Sequence, residues 1–331
     1  MDSVSSTQIP ECSFCGSAAH RKTWTAREMY FGTGGAFDYA ECADCGALNI
    51  VTVPDDLGSF YGRPGYGGHA VRLLEPRTQG LRSRLRALAT DLALGRAPWL
   101  AGVVSGFTQR ARQTPPLAWM CRVGARRHWR ILDVGCGGGD LLRQLRSLGF
   151  DQLQGIDKFV PEAIALPGLV IHKGELDDVR GKFDLVMMHH SLEHMPSPRS
   201  TLASAAKQLA PGAWLLVRVP LADSAAWREY GIDWYQLDAP RHLHVPTVAG
   251  MRALAGALGL ELVVVDHDAT ASQFVVSQGY RQGLSMVAQR DAGFTHVSAE
   301  ALQRFESRTA QANAAGEGDQ AVFYFRRTAQ G

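Results

Sequence analysis

No apolar run in this 331-residue chain is long enough to span a bilayer, and the N-terminus, MDSVSSTQIPEC, has no basic start leading into an apolar stretch. The sequence therefore shows no signal for insertion or export, and the expected setting is the cytoplasm. Internal repeats and long low-complexity tracts are also missing, which excludes a solenoid or a disordered tail as the main architecture. Lysine is absent from residues 72–130, where twelve arginines stand against only Glu75 and Asp91. The small formal net charge of +2 thus hides a balance of about +10 in that segment and about −8 elsewhere.

Six cysteines are present, but four form two C-x2-C pairs of equal spacing, Cys12/Cys15 and Cys42/Cys45, leaving Cys121 and Cys136 single. That pattern argues for metal over disulfides. Each pair can offer two thiolates from a tight turn, which Gly16 and Gly46 directly after the second cysteines permit. Four sulfurs suit a closed structural Zn2+ site with no open position for substrate; an iron centre or a redox dithiol are the alternatives. A head of this size would fold poorly without its metal. Its flanks are only mildly basic, so scaffolding is a better reading of the ribbon than nucleic-acid binding.

Three parts follow: a zinc-ribbon-like head at 1–60, an arginine-rich helical connector or lid at 61–128, and an alternating strand and helix body at 129–331. Strand-like runs occur at residues 131–134, 153–156, 169–172, 183–188, 214–219, 262–266 and 321–325. Helical periods lie between the early ones, such as Leu141, Leu142, Leu145 and Leu148, closed by Gly149. This alternation predicts an α/β fold, a Rossmann-like mostly parallel sheet of seven strands with helices on both faces. Its ligand crevice is expected at the carboxyl ends of the strands.

The stretch RILDVGCGGGDLLRQLRSLG places a glycine turn at one such end. No lysine follows the glycines, as a P-loop needs, and Asp140 stands where a dinucleotide loop has Gly or Ala. A carboxylate at this helix start repels a pyrophosphate but tolerates an ammonium group. Asp157 ends the second strand, where Rossmann sites carry the acid that grips a ribose diol. The expected ligand has a ribose and no phosphate bridge.

With ILDVGCGGG, Asp157, GELDD and FDLVMMHHSLEHMPSPRSTLASAAKQLAPGAWLLVRVP in this order, residues 130–262 resemble class I S-adenosylmethionine-dependent methyltransferases. The resemblance implies that Asp133, Gly135, Cys136 and Gly137 line the methionine part of the cofactor. By the same resemblance Asp157 accepts both ribose hydroxyls, Glu175 and Leu176 border adenine, and GDQAVFYFRR is an antiparallel seventh strand. Cys136 reads as a small filler in the turn and not as a nucleophile.

Transfer to oxygen, nitrogen or carbon needs a proton acceptor. His189 and His190 close the fourth strand at its crevice end and rank first, with only one pointing inward if the chain is extended. His194 comes next, then His242 and His244 in DAPRHLHVPT; Glu193, Tyr61 and Tyr66 are the non-histidine alternatives. Each histidine also has a structural reading. A zinc head on this body is similar to enzymes that methylate nucleotide-linked sugars, including the deoxysugar C-methyltransferases; those carry a large further C-terminal domain, whereas 65 residues follow Asp266 here, so the expectation is O-methylation of a saccharide or other small polar acceptor. Some rRNA methyltransferases also carry a zinc ribbon, and a non-catalytic adaptor with a retained cofactor fold is the alternative of another class.

The connector has an apolar helical face at Leu81, Leu85, Leu88 and Leu92. Its arginines, interleaved with Trp99, Leu100, Val103, Val104, Phe107 and Trp119, suit solvent, an anionic membrane surface or substrate phosphate groups. Nucleic acid is the weaker expectation for this segment.

Overall fold

The computed structural model describes residues 9–61, 81–95 and 115–327, and of residues 81–86 the backbone alone. Its strands are β1 (His20–Arg27), β2 (Ala36–Cys42), β3 (Leu48–Ile50), β4 (Ile131–Val134), β5 (Leu153–Asp157), β6 (Ile164–Leu166), β7 (Leu169–Lys173), β8 (Phe183–His189), β9 (Leu209–Pro220), β10 (His244–Val245), β11 (Leu260–His267) and β12 (Gln320–Arg327). All seven strands expected in the body are present, and β6 and β10 are additions. The chain folds as two compact units.

One unit comprises Gly67–His189, Ser204–Leu216 and Arg326–Gly331. Its strands lie in the order β9-β8-β4-β5-β7-β6. β4 is parallel to both β5 and β8, and β5 is parallel to β7. Such strands are buried on both faces and read as continuous apolar runs; Ile131, Leu132, Ile171, Leu185, Val186 and Met187 are completely buried. β6 turns back antiparallel on β7. The amphipathic period after the glycine turn forms the helix Asp140–Ser147, with Leu142 and Leu145 buried, and Gly149 leaves it at φ 94°. The connector helix is Leu81–Ala93; on it Leu88, expected on the apolar face, is exposed, and Thr90 and Ala93 are buried.

The other unit comprises Met1–Tyr66, His190–Ala203 and Val217–Phe325. Its antiparallel sheet runs β1-β2-β3-β10. Residues far apart in sequence therefore share one small sheet, and they share a core as well. Tyr39, Leu48 and Ile50 pack in one cluster with Trp227, Trp234, Leu243, Val245 and Phe274. β11 and β12 also belong here with the end of β9, in the order β11-β12-β9. Leu221 N, just past the end of β9, donates to Asp319 O, just before β12, as antiparallel strands require. Before the last strand the chain forms the helix Ala299–Ala315, capped by the Ser298 side chain.

Among the described residues no helix is long and apolar enough to cross a membrane. Tyr66, Trp99, Leu100, Val103, Val104, Phe107 and the arginines at 72, 77, 96, 110 and 112 lie outside the described residues.

Candidate functional site

Parallel pairing of β4 with β5 sets Asp133 beside Gly155 and carries both strands to one end of the sheet, where Asp157 closes β5. The chain leaves β4 through a turn in which Gly135 and Gly137 adopt φ of 72° and 52°, a region costly for any side chain. Gly139, at φ 80°, caps the following helix; a Cβ there would lie 2.2 Å from Ile171 Cδ1. Asp157 holds this turn in shape: its Oδ2 accepts from Gly137 N at 2.9 Å and its Oδ1 from Phe159 N at 2.7 Å. Both Asp133 and Asp157 are buried. Burial first, and the charge of Asp157 second, push Asp133 up to about 8. Burial and the same two carboxyls push the Cys136 thiol far above its ordinary range, which removes it as a thiolate nucleophile.

Two further residues expected at the cofactor lie beyond β7. Glu175 is exposed, with its backbone N–H donating to Asp178 Oδ2 at 3.0 Å, and Leu176 is largely buried. Lys158, next to Asp157, reaches Glu175 Oε1 at 3.7 Å. The structure thus gathers Asp133, Gly135, Cys136, Gly137 and Asp157 at one turn, with Lys158 linking that turn's neighbour to Glu175. A buried carboxyl held protonated and a second one with spare lone pairs fit a ligand that brings positive charge and hydroxyl donors.

The histidines separate by their partners. His189 ends β8, and its ring stacks on Trp119 at 4.4 Å between centroids. His190 is turned out of the strand by φ 48°, so the extended alternation assumed for the pair does not apply. Arg218 Nη1 lies 2.6 Å from His190 Nε2. A guanidinium only donates, so Nε2 accepts and His190 Nδ1 carries the proton given to Glu193 Oε1 at 3.1 Å. In this arrangement no lone pair of His190 is left for a substrate proton. Arg218 in turn donates to Asp268 Oδ2 at 2.7 Å. Neither Arg218 nor Asp268 stood out in the sequence; the available signal was an arginine inside the apolar run LLVRVP.

His194 and His242 meet through a different set of bonds. Leu243 N donates to Glu193 O at 2.8 Å, tying the two segments together. His194 Nδ1 lies 2.9 Å from Arg241 O and 3.0 Å from Tyr61 Oη, and the His194 and His242 rings are 4.7 Å apart. Burial first, and His242 second, lower His194 to about 4. For Glu193, burial alone would raise the carboxyl, but the hydrogen bond from His190 and the neighbouring imidazoles hold it at about 2. His244 goes elsewhere: Nδ1 lies 3.1 Å from both Ser13 Oγ and Asn49 Oδ1, and Nε2 lies 3.2 Å from Pro196 O. Both of its nitrogens serve packing beneath the cysteine loops.

The four cysteines form one cluster. Gly16 N donates to Cys12 O and Gly46 N to Cys42 O, giving two matching turns with φ of 79° and 75° at the glycines. Cys12 and Cys45 sulfurs are 3.5 Å apart, as are those of Cys15 and Cys42, and all four lie within 4.8 Å of one another. Tetrahedral Zn–S bonds of about 2.3 Å place sulfurs about 3.8 Å apart, so this donor set fits zinc. Asn49 Nδ2 donates to Cys12 Sγ at 3.7 Å, and Thr247 Oγ1 donates to Cys45 O at 2.6 Å, supporting both loops from outside.

A family model described as a methyltransferase domain matches residues 84–265, more than half of the chain. The ubiquinone biosynthesis O-methyltransferase of Burkholderia thailandensis is 34% identical over 99 residues, covering 26% of this chain and 42% of its own. The trans-aconitate 2-methyltransferase of Mycobacterium tuberculosis is 32% identical over 115 residues, 33% of this chain and 44% of that one. The chain thus spans less than half the length of these curated relatives. Among solved structures, the YcgJ protein of Bacillus subtilis aligns with 64% of this chain and 97% of its own, at 15% identity and a TM-score of 0.42. With the family model spanning β4, the glycine turn and the strands through β11, the chain belongs to the methyltransferase domain family.

Proposed function

We propose that this protein is an S-adenosylmethionine-dependent methyltransferase acting on an oxygen of a small polar acceptor, a nucleotide-linked or lipid-linked saccharide first. The observation that carries the reading is the buried acid pair at the ends of β4 and β5. Asp133 stays protonated to about pH 8 because it is buried beside Asp157, and a cationic ligand would favour its ionised form. Asp157 keeps a lone pair on each oxygen beyond its bonds from Gly137 and Phe159, enough to accept two ribose hydroxyls. Gly135, Cys136 and Gly137 present a bare backbone turn to the methionine portion, and Glu175 and Leu176 supply a polar and an apolar border for adenine. When bound, S-adenosylmethionine supplies a methyl group on a sulfonium, open to in-line attack.

The chain's own work is then alignment, exclusion of water and management of the acceptor's proton. Of His189, His190 and His194, we place the acceptor role on His194, supported by the stacking of His189 and the engagement of His190 by Arg218. Glu193 and His242 join it as the polar group that handles the acceptor hydroxyl. Cys12, Cys15, Cys42 and Cys45 hold a structural Zn2+. The head at 1–60, the connector at 61–128 and the part at 129–331 divide these roles between metal, partner contact and chemistry. An oxygen acceptor is supported by the match to a ubiquinone biosynthesis O-methyltransferase.

The test is transfer of labelled methyl from S-adenosylmethionine to nucleotide sugars, glycolipids and total RNA by the full chain. Alkali-stable label on a saccharide is the expected result. Label on RNA, with the steep salt dependence of phosphate contacts, would move the acceptor. Failure to bind the cofactor at all would favour a zinc-ribbon adaptor.

A further inference from the structure

We propose that Glu193, His194 and His242 hold a divalent transition-metal ion of the first row through one carboxylate oxygen and two imidazole nitrogens. This goes beyond the methyltransferase reading: with an ion held, the remaining lone pairs of His194 and His242 are on the metal, and the acceptor's hydroxyl would be met by the ion and not by a free imidazole. The first observation is an orphan: the Glu193 side chain is fully buried, Oε1 accepts from His190, and Oε2 has no hydrogen-bond partner. A buried anionic oxygen is strongly disfavoured unless a proton donor or cation meets it. Each of the three residues offers a ligand atom within 4.8 Å of the others.

The second observation is how the two rings are held. His194 Nδ1 lies 2.9 Å from Arg241 O, and His242 Nδ1 lies 2.8 Å from Gln236 O. A backbone carbonyl only accepts, so each Nδ1 carries the proton and each lone pair sits on Nε2. One nitrogen pinned to a carbonyl, leaving the other to bind, is how proteins orient histidine ligands. The Arg241 carbonyl is itself rigid, because its guanidinium is buried and bonded to Glu28 Oε1 at 2.9 Å and Asp238 Oδ1 at 2.5 Å. Asp238 Oδ2 lies 3.9 Å from His242 Nε2, beyond hydrogen-bond range.

Two imidazoles and one carboxylate favour Mn2+, Fe2+, Co2+ or Zn2+ over Mg2+ or Ca2+, which prefer all-oxygen sites. Three protein ligands leave coordination positions open, unlike the closed four-sulfur site. An oxygen ligand such as water or a hydroxyl-bearing molecule is the class of group that would fill them.

The experiment uses the full chain with its zinc in place, freed of weakly held ions and titrated with Mn2+ while the free-ion electron paramagnetic resonance signal is followed. A single Mn2+ per chain is expected beyond the zinc, with pulsed-resonance nitrogen couplings from imidazole. Glu193→Gln should weaken binding at least about tenfold, and His242→Ala should reduce the nitrogen coupling. His172→Ala, exposed on β7, should change neither. Circular dichroism checks that each variant folds. If His242→Ala fails to fold, the near-isosteric Glu193→Gln and the wild-type nitrogen coupling still decide. No bound Mn2+, binding without nitrogen coupling, or binding unchanged by Glu193→Gln would each overturn the proposal.

Discussion

Arg218 and Glu193 are joined through the His190 ring, which accepts from Arg218 at 2.6 Å and donates to Glu193 at 3.1 Å. The ring therefore bridges a cation and a buried anion, accepting at Nε2 and donating at Nδ1. His190→Ala breaks both bonds and leaves Glu193 without its donor. Loss of a hydrogen bond to a charged group costs about 1.5–3 kcal/mol, so denaturant titration should show a loss of at least that size. A variant as stable as wild type would mean that the bridge carries no energy.

His194 should behave differently. If it handles the acceptor, His194→Ala lowers turnover by about 10²–10⁴ while cofactor affinity stays within a few-fold, because the residue meets the acceptor and not the sulfonium. Steady-state kinetics with calorimetric cofactor binding separates the cases. Equal loss of turnover and cofactor binding would identify a purely structural residue.

Asp133 gives a pH dependence with a definite sign. Its folded-state value, raised to about 8 from an ordinary 3.8 by burial and by Asp157, means that the folded chain keeps a proton which the unfolded chain has released. Stability from this group is full below the unfolded value and falls as pH rises toward the folded one, by up to about 1.4 kcal/mol per pH unit. Asp133→Asn should flatten that decline in cofactor-free protein, read by denaturant unfolding between about pH 5 and about pH 8. The same logic makes cofactor binding near neutrality release a proton, seen as a buffer-dependent binding enthalpy. A slope unchanged in Asp133→Asn would remove Asp133 as its source.

Much of this was legible because it is local. β4, the glycine turn and the helix Asp140–Ser147 follow from a short apolar run, glycines that alone tolerate the turn and a 3.6-residue period. The cysteine spacing announces its cluster for the same reason. What escaped is long-range pairing. β10 is two residues long, and its place beside β3 depends on His244 bonding Ser13 and Asn49 far earlier in the chain. His242 and His244 alternate in HLHVP and would share a face in an extended chain, yet one ring turns to Gln236 O and the other to the cysteine loops. The meeting of Glu193, His194 and His242 rests on the Leu243 N–Glu193 O bond, which no local pattern encodes.

Zinc should therefore support more than the head. The strands that follow Cys15 and lead into Cys42 share their core with Trp227 and Trp234, so removing the metal should change tryptophan fluorescence and lower the melting temperature of that unit. Cys12→Ser and Cys45→Ser should do the same, with metal analysis giving one zinc per wild-type chain. Full chelation with unchanged tryptophan emission would contradict this coupling.

Binding of S-adenosylmethionine at the glycine turn after β4 is read most directly by calorimetric titration of the full chain, wild type against Asp157→Ala. Saturable binding to wild type is expected, with a loss of about 1.5–3 kcal/mol for each charge-assisted bond removed in the variant. Wild-type protein that binds no cofactor, or an Asp157→Ala variant that binds it with unchanged affinity, would contradict it.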